Sequence, residues 1–358
     1  MNIKKIVRRG LGALVLASLV LVLGVSAVFS HEIKTVLSVE KVDDYPLYTM
    51  DYDGDYGMDK FLAQGGASSD QELIDFVVKN LLKGLPIKID LPDLACSTFN
   101  ATTPEGDAVF GRNFDLEYAP GMLVRTDPRD GYVSLSMVNL AFIGYGEEKL
   151  PDGLADRVVS LAAPFVPLDG VNEKGLAVGV LLIDTEATNQ QTKRVDITTT
   201  TAIRMMLDTC ATVEEAVELL DRYDMHASGN RSYHFQIADA SGASVVVEYI
   251  GDKMNVVEQG PEGYQAATNF LLTPGDYDFG KGQDRYQTVM DRLVAQKGVL
   301  TEEEAMDTLK SVSREVKINE KGEEFRTQWS VVYNQDRATA KIAVGGDYGR
   351  VYDFAVRE

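Results

Sequence analysis

The hydrophobic and polar positions divide the chain into three stretches of different texture. From Gly10 to Ser30 runs an uninterrupted uncharged segment rich in Leu, Val and Ala, preceded by Lys4, Lys5, Arg8 and Arg9. Residues 31–60 mix acidic and aromatic positions, and residues 63–69 (Ala-Gln-Gly-Gly-Ala-Ser-Ser) read as a loop. Ser69 with Glu72 then forms a capping box ahead of an amphipathic helix that reaches about Lys83 and stops at Gly84. Leu85-Pro86 opens a short extended stretch that ends at Leu94-Ala95.

At Cys96 the pattern changes to strand-like alternation with two helical interruptions. Cys96–Asn100 and Ala108–Phe114 read as strands around the turn residues Thr103-Pro104-Glu105-Gly106. Helical patterns cover about 197–209 and 213–223, the second opened by a Thr212/Glu215 capping box. Strands return at 233–239, 244–250 and 264–268. Helices follow near 284–296 and 302–312, the latter capped by Thr301 with Glu304, and strands close the chain near 328–334 and 338–343. Strands, then helices, then strands again predict an α+β sandwich in place of alternating βαβ units. No internal repeat is visible.

Composition sharpens this picture in a few places. The chain has 358 residues, 45% of them hydrophobic and 25% charged, enough for a sizeable core. Its first 30 residues carry four basic groups and no acid, so within a formal net charge of −20 the remainder carries −24. Such acidity repels phosphate backbones and argues against a nucleic-acid partner. The basic start, the apolar run and the small residues Val25-Ser26-Ala27 suit either a cleaved export signal or a retained anchor of roughly 20 residues. Both place the body outside the cytoplasm, secreted or held at the membrane. Asp51, Asp53, Asp55 and Asp59 are closely spaced, but their glycines sit wrongly for a calcium loop and no Glu closes it. Three histidines without metal-ligand spacing predict no metal.

Only two cysteines occur, Cys96 and Cys210. If the hairpin turn centres near Glu105, Cys96 lies opposite about Phe114, beside Arg112, Asn113 and Asp115. A cation there lowers a thiol pKa and raises its thiolate fraction. Spacing alone favours a plainer reading, a surface Arg–Asp pair beside a small buried Cys.

A set of motifs in order changes that balance. Cys96-Ser97-Thr98 is followed by Gly111-Arg112-Asn113-Phe114-Asp115, by Asp169-Gly170-Val171-Asn172-Glu173-Lys174-Gly175-Leu176, and by Thr268-Asn269. Asp284-Arg285 and Thr327-Gln328-Trp329-Ser330 come after them. Over residues 96–345 this series closely resembles the choloylglycine hydrolase family, which includes bile salt hydrolases and penicillin V acylases. The resemblance implies a four-layer αββα N-terminal-nucleophile (Ntn) hydrolase fold with mainly antiparallel sheets and no cofactor. It implies that Cys96 becomes the chain's first residue, through cleavage after Ala95, and attacks a linear amide to give a thioester. An α-amine has a reference pKa near 7.7–8, so it can act as the base where a lysine stays protonated. The resemblance further implies that Asp115 holds this amine, Arg112 favours the thiolate, Asn269 donates to the oxyanion and Arg285 completes the cluster. Asn172–Gly175 reads as a tight structural turn with Gly at positive φ.

Two departures from the family are visible. Leu182 occupies a place where family members carry a polar or aromatic side chain, leaving only a backbone contribution to the oxyanion hole. The leader of 95 residues is long; by resemblance to the ceramidase-like branch it stays bound as a second subunit after self-cleavage, the alternative being a discarded chaperone segment. The expected divisions are therefore 1–30 signal or anchor, 31–95 leader with one capped helix, and 96–358 catalytic domain. Leu135, Phe142 and Phe165 are expected at an acyl pocket for an N-acyl amide such as an acyl amino acid, acyl homoserine lactone, bile conjugate or penicillin. A homo-oligomer also follows from the resemblance. Two rivals stand beside this reading. One is an anchored, catalytically silent binding protein of the same fold. The other is a papain-like protease using Cys96, His234 and Asn269, although Cys96 heads a strand and the papain signature is absent. His234 reads as a strand residue packed on the sheet, His226 as a loop residue, His31 as a neighbour of the export signal, and Cys210 as inert.

Overall fold

The computed structural model describes residues 29–87, 95–318, 322 and 324–357. The apolar run from Gly10 to residue 28, with the small residues Val25-Ser26-Ala27 expected to suit an export signal, and the stretch 88–94 ahead of Cys96 lie outside the described residues. Among the described residues no helix is long and apolar enough to cross a membrane.

Two stacked sheets form the centre. The first has nine strands in the order 40–43, 47–52, 121–126, 134–139, 167–172, 177–183, 232–238, 244–250 and 253–258. All neighbours are antiparallel except Leu47–Tyr52, which pairs in parallel with Gly121–Thr126. The second sheet runs 265–267, 95–102, 108–116, 324–334, 339–344 and 352–355, with Lys317–Ile318 paired alongside Glu324–Asn334. Helix Thr199–Thr209 covers the outer face of the first sheet, and helices Gln283–Ala295 and Glu302–Ser311 cover the second. Helix, sheet, sheet and helix make the expected αββα layering.

The period-two alternation of a strand decides which side chains meet between the sheets. On strand Ala95–Thr102, Phe99 and Ala101 face outward and join Val289, Leu293 and Leu309 of the covering helices. Cys96 therefore points inward, into the core that also holds Phe110 and Phe114. Gly179 of the facing sheet lets the layers close here. A Cβ at that position would stand 3.0 Å from the Thr98 methyl.

The caps behave as their chemistry demands. Ser69, Thr212 and Thr301 each accept the amide three residues on, and at Thr301 the Glu304 carboxylate returns a bond to the Thr301 amide. Asn172 closes its turn by accepting from Lys174 and Leu176, while Gly175 takes φ +83 with the Gln335 carbonyl crowded against it.

The leader differs from expectation. The sequence reading found one capped helix, Asp70–Asn80, but the leader also supplies helices 30–38 and 58–63 and strands Glu40–Asp43 and Leu47–Tyr52. Its Phe61 and Phe76 rings pack edge-on or tilted against Phe165 at 5.8 and 5.5 Å. The hydroxyl of Tyr56 donates to Asp208 at 2.5 Å, and Asp208 in turn holds the buried Arg204 at 2.8 Å. These contacts place the leader inside the same core as the rest of the chain.

Candidate active site

The hairpin register is the one its turn predicts: Cys96 pairs with Phe114, Thr98 with Arg112 and Ala95 with Asp115. Cys96 is fully buried, and its surroundings are polar to an unusual degree for a core. Asn269 lies just past strand Gln265–Ala267, which pairs with the Cys96 strand. Its Oδ1 accepts the Cys96 amide at 2.8 Å and Arg285 Nη2 at 2.7 Å. Two donors facing one atom fix that atom as the oxygen. Its Nδ2 donates to the Leu182 carbonyl at 2.9 Å.

Arg285 stands in the first turn of helix Gln283–Ala295, after Gly282 at φ +91. A Cβ on Gly282 would come within 2.5 Å of the guanidinium, so the glycine serves both the turn and the approach. Besides Asn269, Arg285 Nη1 donates to the Cys96 carbonyl and to Ser97 Oγ, the latter at 2.7 Å.

Asp115 Oδ1 accepts the Thr327 hydroxyl at 2.6 Å, while Oδ2 has no hydrogen-bond partner and lies 3.8 Å from Arg285 Nη1. Burial pushes its carboxyl pKa up, against the pull of Arg285. Arg285 itself is pushed down by burial, with Asp115 opposing. A buried carboxylate oxygen without a donor is an open place for a cation.

Arg112 is fully buried, and its Nε donates to Asp169 at 3.1 Å. Its two terminal amines meet no oxygen or nitrogen acceptor. Burial lowers its pKa, but the charges of Cys96 and Asp169 prevail and leave it raised. Asp169 accepts also from Trp329 Nε1 at 3.2 Å and Tyr333 Oη at 2.5 Å. The indole of Trp329 stacks on Phe114 at 4.0 Å, above which the Arg112 guanidinium lies. Three partners thus fix Asp169, which fixes Arg112. Sequence reasoning missed Asp169 as a site residue, because its partners are scattered over more than 200 positions. The only signal was its place in the Asp169–Leu176 motif.

Several expectations differ from the structure. The Cys96 thiol pKa is raised, not lowered, because burial outweighs the opposing charge of Arg112. Position 182 offers its carbonyl to Asn269 and not an N–H, so one Asn269 donor is already engaged. The pocket residues fall in separate places. Leu135 lines a cavity with Met50, Arg125 and Phe354, Phe165 packs on the leader's aromatic rings, and Phe142 is buried in the short helix Leu140–Ile143. His234 does not act as a protease histidine, since its nitrogens bind Thr268 and Glu248. His226, read from sequence as a loop residue, ends the short parallel strand Asp224–His226 and bonds Asp196 and Asn189. Cys210 is buried and free at the end of helix Thr199–Thr209.

Layering and inward-facing cysteine together define an Ntn-hydrolase fold. Residues 96–270 match the linear amide C-N hydrolases, choloylglycine hydrolase family. A penicillin V acylase of Pectobacterium atrosepticum is 35% identical over 112 residues, which cover 28% of this chain and 29% of the relative. Among solved structures, a variant of the conjugated bile acid hydrolase of Clostridium perfringens superposes with TM-score 0.56 at 17% identity, covering 73% of this chain and 92% of that one. A penicillin V acylase of Agrobacterium tumefaciens gives 0.50 at 20%, covering 70% and 83%. At these identities the superpositions establish the fold.

Proposed function

We propose that this chain is the precursor of a linear amide C–N hydrolase whose nucleophile is Cys96, exposed by cleavage after Ala95. The observation that carries the reading is the convergence on one buried residue of Asn269, Arg285, Asp115 and Arg112, at the position where the family match begins.

In the uncut chain the nitrogen of Cys96 is an amide donating to Asn269, and the thiol is kept protonated by burial. Cleavage turns that nitrogen into an amine. The free Oδ2 of Asp115, across the hairpin from Ala95, suits an ammonium there. In its neutral form the amine takes the thiol proton, and Arg112, anchored by Asp169, stabilises the thiolate. The thiolate attacks the acyl carbon, the second N–H of Asn269 Nδ2 faces the developing oxyanion, and the ammonium protonates the leaving amine. Water, deprotonated by the same amine, then releases the acid from the thioester. The substrate class is an N-acyl amide, among which penicillins, bile conjugates, acyl amino acids and acyl homoserine lactones differ in the leaving amine.

The leader is proposed to remain after cleavage. Removing it would strip strands Glu40–Asp43 and Leu47–Tyr52 from Gly121–Thr126 and uncover Phe165, on which Phe61 and Phe76 of the leader pack. Each large side chain so exposed costs about 1.5–3 kcal/mol. Export through the segment before Ser30 completes the reading. It is tested by incubating purified protein with a panel of these amides and quenching in acid. A mass increase of one acyl group on the peptide that begins at Cys96 supports it. Amide turnover that survives Cys96→Ala refutes it.

A further inference from the structure

The buried pair His234–Glu248 has no part in the mechanism above. His234 lies in strand Ser232–Ala238 of the first sheet and is fully buried. Its Nε2 reaches across the sandwich to the Thr268 carbonyl at 2.6 Å, and its Nδ1 lies 3.2 Å from Glu248 Oε1 on the adjacent strand. Glu248 also accepts the amides of Leu272 at 2.7 Å and Thr273 at 2.9 Å. The pair therefore grips the chain on both sides of Asn269: the carbonyl just before it and two amides just after.

That grip is placed where regular structure gives out. Strand Gln265–Ala267 ends immediately before, and residues 268–282 form no helix or strand of their own. Yet Asn269 must hold three partners at once, the Cys96 amide, Arg285 and the Leu182 carbonyl. Both nitrogens of His234 face oxygens, so the ring is held from two sides. Burial alone would raise the Glu248 carboxyl, but its bonds to His234 and the amides hold it below the usual glutamate range.

We propose that His234, held by Glu248, is a positioning residue that sets the Asn269 side chain against Cys96. This deepens the proposed function, since it rests on Asn269 serving the reacting centre. Catalytic groups need support to within about 0.5 Å, which an irregular segment does not supply by itself.

The test has an arm that needs no activity. In Cys96→Ala protein, which stays uncut, the amide at position 96 still faces Asn269 Oδ1, and its hydrogen exchange reports that contact. Adding His234→Leu is expected to speed its exchange about tenfold or more. Adding His234→Gln, which keeps a donor for Thr268, is expected to leave it near the parent rate. The second arm uses the cleaved enzyme with octanoyl p-nitroanilide as probe. His234→Leu is expected to lower kcat about 10²-fold, with KM changed less than about threefold. In an Asn269→Ala background the same change should cost less than about threefold more. If His234→Leu unfolds the protein, His234→Asn, too short to reach the Thr268 carbonyl, is read in its place with the same expected increase in exchange. Unchanged exchange at position 96, or an equal loss of kcat in the Asn269→Ala background, overturns the proposal. A wild type that turns over neither the anilide nor any amide of the panel refutes the amidase reading, and exchange at position 96 then decides the positioning role alone.

Discussion

Two cysteines occupy this molecule, both buried and both free, and their surroundings could hardly differ more. Burial raises the pKa of each thiol, that of Cys210 to about 11. Around Cys210 the contacts are bland. Thr209 Oγ1 lies 3.8 Å from its sulfur, and its carbonyl accepts from Asn172 at 2.7 Å. Around Cys96 stand two buried guanidinium groups, a carboxylate oxygen without a donor and an amide oxygen on its own nitrogen. Neither residue type nor burial separates the two. What separates them is the charged and amide groups gathered around Cys96. Among the described residues the two terminal Arg112 amines meet no oxygen or nitrogen acceptor, and Asp115 Oδ2 has no hydrogen-bond donor, only Arg285 Nη1 at 3.8 Å. In a core such groups are costly.

This contrast can be broken at several points. The largest effect is expected from Cys96→Ala, which should abolish amide turnover by a factor on the order of 10⁴ or more, whereas Cys210→Ala should stay within about threefold of wild type. A steady-state assay of both variants checks this, and comparable losses would erase the distinction. Next comes Asn269→Ala, expected to lower kcat about 10²–10³-fold by removing a donor from the oxyanion. Arg112→Leu leaves Asp169 buried without its cation and should destabilise the fold by about 3–5 kcal/mol in denaturant unfolding. Asp169→Asn keeps the shape while loosening Arg112, and should lower the rate of Cys96 alkylation in cleaved protein without touching that of Cys210.

The smallest effect concerns pH. The Cys210 thiol is raised from 9.0 to about 11 in the fold, so the folded state keeps its proton where the unfolded chain loses it. Its contribution is full below pH 9 and is lost as pH rises through 11. Wild-type stability should therefore fall more steeply between pH 9 and 11 than that of Cys210→Ala, by an amount on the order of 2 kcal/mol. Parallel unfolding curves for the two proteins would remove Cys210 from the alkaline response.

Much of the site was legible in the chain because its order follows local rules. A four-residue turn and period-two alternation place Cys96 opposite Phe114 and inside the sandwich, and the spaced motifs place Asn269 and Arg285. What stayed hidden depends on distant partners or on burial. Strand Leu47–Tyr52 carries a mixed acidic and aromatic pattern, and it finds its register only against Gly121–Thr126. Asp169 gains its role from Trp329 and Tyr333, about 160 residues away. The direction of the Cys96 pKa shift was misjudged, because a neighbouring cation is visible in a sequence and desolvation is not.

The account turns on whether Cys96 becomes an N-terminus, and intact-mass analysis with N-terminal sequencing of wild type and Cys96→Ala tests that most directly. The account predicts a wild-type fragment that begins at Cys96 and copurifies with its leader, and an uncut Cys96→Ala protein. A wild type that stays uncut while hydrolysing amides, or a Cys96→Ala protein cut at the same bond, would contradict it.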